Sequence, residues 1–254
     1  YFQSVNRGKR SLELDPRASD DREAFLDLVD RADVLVENFR AGTMASLDLG
    51  YERLQERNPG LVYAAIRGFG DPRTGATDRQ DQPAYDLVVQ ALAGVMQVNG
   101  QPEDPPTKVG LGIGDIFTGA LSAVGILAAL RHRDRTGEGQ FVDTAMYDAM
   151  ISLCERTVYQ HSYTGEVPGR RGNAHPTLFP YDAFETRDGL VVIAALGENH
   201  WAELCDAMGR PELAAAFPDQ RSRLAERDRL RPLVADWVAA RTTGQVCDRL
   251  AGRV

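Results

Sequence analysis

Residues 61–70 read LVYAAIRGFG, a run that presents apolar side chains to both sides of an extended chain. A strand of this kind has no face to give to water, so something must cover it above and below. Working outward, residues 33–39, DVLVENF, form a second short apolar strand. Between the two, GTMASLDLGYERLQERN (42–58) predicts a helix. Ahead of them, DDREAFLDLVDRA (20–32) places Phe25, Leu26, Leu28 and Val29 at helical spacing behind an acidic first turn. Doubly covered strands alternating with helices predict an α/β fold built on a parallel sheet.

Downstream, DQPAYDLVVQALAGVMQ (81–97) predicts a helix entered through Pro83, and the Pro-rich NGQPEDPPTK (99–108) predicts a loop. GLGIGDIFTG (110–119) then opens into ALSAVGILAAL, which reads as a central helix buried on all sides. RDRTGEGQ (133–140) is a turn-rich break before FVDTAMYDAMISLCERTVYQHSY, a short strand running into a helix. GEVPGRRGNAHP (165–176) is the expected domain boundary. Beyond it, a hairpin around Arg187-Asp188-Gly189 and helices near 200–208 and 228–240 predict a smaller α+β domain. The expected organisation is a tag scar at residues 1–4, a large domain over 5–165 and a small one over 166–254.

With 43 % hydrophobic and 26 % charged residues, the composition is that of an ordinary globular chain. The net charge of −8, with basic residues scattered among acidic ones, argues against a nucleic-acid surface. The longest apolar run ends at Arg131, His132 and Arg133, so no membrane span is expected. Cys154, Cys205 and Cys247 are odd in number and far apart, which suits a cytoplasmic setting. Neither they nor the four histidines follow a metal-ligand spacing, and no metal is expected.

Gly110, Gly112 and Gly114 are spaced GxGxG rather than GxGxxG and follow no strand, so a dinucleotide loop is not expected. Asp115 suits a helix N-cap, kept ionised by the helix dipole. The same position suits a covalent nucleophile, and the residues alone leave both roles open. Asp143 and Asp148 read as capping or solvated carboxylates, and no spacing supports a glycosidase pair. Lys9, Arg10, Arg17 and Arg40 are candidate phosphate holders. Arg40 lies at a strand end, where open α/β sheets bind ligands.

Several patterns then coincide in order: NRGKRSLELD (6–15), DVLVENFRAGTM (33–44), AYDLVVQALAG (84–94), GDIFTGALSAVGILAAL (114–130), RTGEGQFVDTAMYDAM (135–150) and GNAHPTLFPYDAFETRDG (172–189). Together they resemble the class III coenzyme A transferases, the formyl-CoA and carnitine-CoA transferase group, with α-methylacyl-CoA racemases as near relatives. The resemblance implies a Rossmann-like large domain, a smaller α+β domain and an interlocked homodimer. It implies segments ahead of residue 6 and beyond the last residue as well.

The resemblance also implies CoA transfer from an acyl-CoA to a carboxylic acid acceptor with no resident cofactor, while the charge pattern and the interrupted apolar run already speak against a nucleic-acid or membrane partner. Asp115 would carry the aspartyl mixed anhydride and aspartyl-CoA intermediates. Leu14, Arg17, Asn38, Phe39, Arg40, Ala84, Tyr85 and Asp86 would contact CoA. Gly172-Asn173-Ala174 would begin a loop over the site, although His175-Pro176 follow in place of a glycine run. The racemases carry histidine where Tyr85 stands, and tyrosine is a poor base near neutral pH. The transferase reading is therefore preferred to a 2-methylacyl-CoA racemase or epimerase, or to an inactive CoA-binding module.

Overall fold

The computed structural model describes residues 1–252; Arg253 and Val254, the end of the expected small domain, lie outside the described residues. The chain falls into two compact units, Tyr1–Gln97 with Thr107–Pro168, and Val98–Pro106 with Gly169–Val254. The Pro-rich loop around 98–106 thus groups with the second unit rather than with its sequence neighbours.

In the first unit, helices α1 (Phe2–Val5) and α2 (Ser19–Val29) lead to strand β1 (Val34–Glu37). The expected helix over 42–58 is two helices, α3 (Thr43–Ser46) and α4 (Tyr51–Arg57). The chain turns between them at Asp48, which adopts φ 58°. This break sends Leu49 and Leu54 into one cluster with Leu26, Val29, Met44 and Tyr63. Strand β2 (Val62–Arg67) follows, then α5 (Asp86–Leu92) and α6 (Val95–Val98), separated at Gly94 with φ 85°. Pro83 therefore lies ahead of α5 rather than in its first turn, and Tyr85 is the N-cap.

The long helix α7 (Ile113–Thr136) precedes β3 (Phe141–Ala145), α8 (Met146–Leu153) and α9 (Glu155–Thr164). The sheet is parallel, in the order β1-β2-β3, with Val34 opposite Val62 and Tyr63 opposite Phe141. On one side of β2, Tyr63 and Ala65 meet α2–α4. On the other run α7, α5 and α8, with Val89, Met146, Ala149 and Met150 as their shared core. The doubly covered strand is β2; Val36 on the edge strand β1 is exposed.

Helix α7 departs from the sequence reading. Only Gly114, Thr118, Ser122 and Ala129 are buried, a single stripe facing β2, β3, α5 and α8. Gly125 lets the helix approach β3 closely, since a Cβ there would sit 2.8 Å from Val142 Cγ1. Ile116, Val124 and Leu127 are 68 %, 63 % and 66 % exposed. By length and composition α7 is also long and apolar enough to cross a membrane, contrary to the reading that its run stops short. Its small-residue stripe is nonetheless packed inside the unit.

The second unit holds the antiparallel hairpin β4 (Tyr181–Glu185) and β5 (Leu190–Ala194), with Tyr181 opposite Ala194. Helices α10 (Glu198–Ala207), α11 (Glu212–Ala216), α12 (Gln220–Ala225), α13 (Arg227–Ala239) and α14 (Thr243–Leu250) complete it. Phe184, Ile193, Trp201, Leu204, Val234 and Val246 share one apolar core.

Candidate active site

Beyond the carboxyl ends of β1 and β2 lies an open cavity of about 660 Å³ within the first unit. Crevices at this end of a parallel sheet are the usual ligand sites of α/β folds. Its wall is formed by the turn after β1, by the end of β2, by residues 80–85, and by Asp115 and Thr118 of α7. Asn38, Phe39, Arg40, Ala84, Tyr85 and Asp115 are thus brought together. Leu14 and Arg17 do not line the cavity, and Arg17 instead makes a two-pronged pair with Asp15 at 2.9 and 3.0 Å.

Asp115 sits in the first turn of α7, but it is not the cap. The N-cap is Gly112, and no side chain of that position closes the turn. The amide of Gly114 donates to Asp86 Oδ1 at 2.7 Å, so a carboxylate from α5 does the capping. Asp115 is left exposed and lines the cavity, and among the described residues no group bonds to its carboxylate. Partial burial and then the charge of Asp86 push its carboxyl above the usual aspartate value. Asp86 spends both oxygens inside the protein, the second accepting from Gln90 Nε2 at 2.8 Å, and it does not line the cavity.

The cavity floor carries charges that the sequence reading did not single out. Arg67, at the end of β2, donates to Glu37 Oε1 at 2.6 Å and also pairs with Asp71; all three are buried. Glu37 Oε2 accepts from the Phe39 amide at 2.8 Å, which sets the path of the Asn38–Arg40 turn. Burial raises the Glu37 carboxyl, opposed by Arg67. Asp71 continues the chain to Arg73 at 2.9 Å, and Arg73 to Glu52 at 2.7 Å. Asp143 accepts from the Asp71 amide at 2.9 Å and from the Thr74 hydroxyl, so it ties down a loop instead of capping a helix. Asp148 is exposed on α8. The available signal was an Arg and a Glu in otherwise apolar strands, which must be paired if they are buried.

Gly172 to Ala174 belong to the second unit, where the Gly172 amide donates to Gly100 O at 2.9 Å. His175 stacks on Tyr181 with ring centroids 5.2 Å apart. Among the described residues no group of three His, Cys, Asp or Glu side chains is placed to hold a metal ion.

The sequence model of CoA-transferase family III matches residues 1–253, so the tetrapeptide read as a tag scar lies within the matched sequence. The chain is 65 % identical over its whole length to a succinyl-CoA:mesaconate CoA-transferase of Haloarcula hispanica, and covers 64 % of it. It is 41 % identical to an acetyl-CoA:oxalate CoA-transferase of Acetobacter aceti over 91 % of this chain and 59 % of that one. A solved structure of a CAIB/BAIF family protein from Brucella suis superposes with a TM-score of 0.80 at 34 % identity, covering 96 % of this chain and 64 % of that one. The chain therefore spans less than two thirds of the length of these relatives.

Proposed function

The chain belongs to CoA-transferase family III, and from that premise we propose that the whole protein moves coenzyme A from an acyl-CoA thioester to a free carboxylic acid, with Asp115 as nucleophile. The 65 % identity to a succinyl-CoA:mesaconate transferase favours succinyl-CoA as donor and a small unsaturated dicarboxylate as acceptor. The observation that carries the reading is an unengaged carboxylate in the wall of a cavity shared with Asn38, Phe39, Arg40 and Tyr85.

Asp115 attacks the thioester carbonyl, forming a mixed anhydride and expelling the CoA thiolate. The thiolate attacks the aspartyl carbonyl, giving aspartyl-CoA and releasing the first acid. The acceptor carboxylate displaces CoA to form a second anhydride, and the thiolate takes its acyl carbon. This forms the new thioester and regenerates Asp115. The raised proton affinity of Asp115 makes it a better nucleophile than a fully solvated aspartate, and Arg40 offers charge to the CoA phosphates. CoA enters as substrate, and no resident cofactor takes part.

Two copies form the working unit in this reading. It is supported by the exposed apolar side of α7 and by α9, which buries none of its residues. Hydroxylamine tests the chemistry: added with succinyl-CoA to the full-length protein, it should convert Asp115 to its hydroxamate, located by peptide mass. An unmodified Asp115 in an enzyme that turns over would overturn the assignment.

A further inference from the structure

Gln90 is wholly buried, one turn beyond Asp86 on the same face of α5. A buried amide is tolerated when its polar atoms are bonded, and both ends of this one are. Its Nε2 donates to Asp86 Oδ2 at 2.8 Å and reaches Leu111 O at 3.4 Å, while its Oε1 accepts from the Val109 amide at 2.9 Å. Asp86 Oδ1 in turn holds the Gly114 amide, one of the first-turn donors that no helical carbonyl can satisfy. Gly114 closes the arrangement sterically, since a Cβ there would lie 2.8 Å from Val89 Cγ2 and 2.9 Å from Asp86 Oδ1.

Resting on the nucleophile reading above, we infer that Gln90 is a positioning residue: through Asp86 and the 109–111 backbone it fixes the first turn of α7, so that Asp115 faces the cavity without being drawn into capping its own helix. Gln90 touches no substrate. Its effect is on where Asp115 stands and on the orientation of the Asp86 carboxylate beside it. The other charged or titratable groups around this cavity are Glu37 from β1, Arg67 from β2, and Arg40, Asp81 and Tyr85 from the loops; α8 contributes only Met146.

Two variants of the full-length protein test this, assayed beside Asp115→Asn. Gln90→Met keeps the volume and removes every bond; kcat should fall on the order of ten- to a hundredfold, as for small misplacements of a reacting group, with KM for succinyl-CoA little changed. Gln90→Glu keeps the acceptor for Val109 but can donate to Asp86 only when protonated. Its activity relative to wild type should therefore rise as pH is lowered, which a merely structural role would not produce. Wild-type kcat in folded Gln90→Met overturns the inference. A Gln90→Glu ratio that is flat with pH also overturns it, and decides the matter if Gln90→Met does not fold. An active Asp115→Asn enzyme would instead remove the nucleophile reading itself, whereas an inactive one beside wild-type-like Gln90 variants removes only the positioning role.

Discussion

Helices α14 and α7 begin in opposite ways. At α14, Thr242 accepts from the Gln245 amide at 3.2 Å and Gln245 accepts from the Thr242 amide at 3.0 Å. Asp219 and Ser222 close α12 in the same manner. Each of these caps is complete within four residues, and each consumes the side chains that make it. Helix α7 takes its cap from Asp86, 28 residues earlier, on another helix. A borrowed cap leaves the acid in the first turn uncommitted, and that separates a carboxylate that stabilises a helix from one available to a substrate.

The sharpest way to break this contrast is Asp115→Asn. It should lower kcat by about a thousandfold or more, as loss of a nucleophile does. The melting temperature should hold, because no described group bonds to that carboxylate. Next in size is Arg67→Met, which leaves Glu37 and Asp71 buried without their shared cation. Denaturant titration should show a loss of about 3–5 kcal/mol, the range for breaking a buried pair from one side.

Asp86→Asn keeps an acceptor for Gly114 but removes a charge that raises Asp115. The acid limb of the kcat profile should therefore move to lower pH, since Asp115 then ionises earlier. Thr242→Ala should cost about 1 kcal/mol and leave turnover untouched, which marks a self-closed cap as purely structural. The smallest effect is at Glu52, whose carboxyl Arg73 lowers to about 2. Its pairing is in place above the ordinary glutamate range and is lost as pH falls toward about 2. The stability difference between wild type and Glu52→Gln should therefore shrink on acidification.

What could be read in advance follows the same division. The strand at 61–70 was legible because continuous apolar character admits few arrangements, and β2 is covered on both sides. The hairpin around Asp188 was legible for a similar reason, its turn residues lying between two apolar runs. The break at Asp48 was not, because helical spacing continues across it and the turn follows from Leu49 seeking the cluster under β2. Nor was the exposure of α7, since an apolar helix demands a neighbour without naming one. Asn38 to Arg40, Tyr85 and Asp115 were assembled by resemblance. Their supports, Glu37, Arg67 and Gln90, depend on contacts 19 to 30 residues apart.

For protein engineering, the cavity wall differs in kind from the α5–α7 corner that holds Gly114, a residue that does not line the cavity. There, a single added methyl would strike both Val89 and the Asp86 carboxylate, so a randomised library spanning Asp86, Gln90 and Gly114 should return mostly dead clones. Gln80 and Gln82 line the cavity itself, from an irregular segment between β2 and α5. Selection for a different acid should start at those two glutamines, with the α5–α7 corner left as it is.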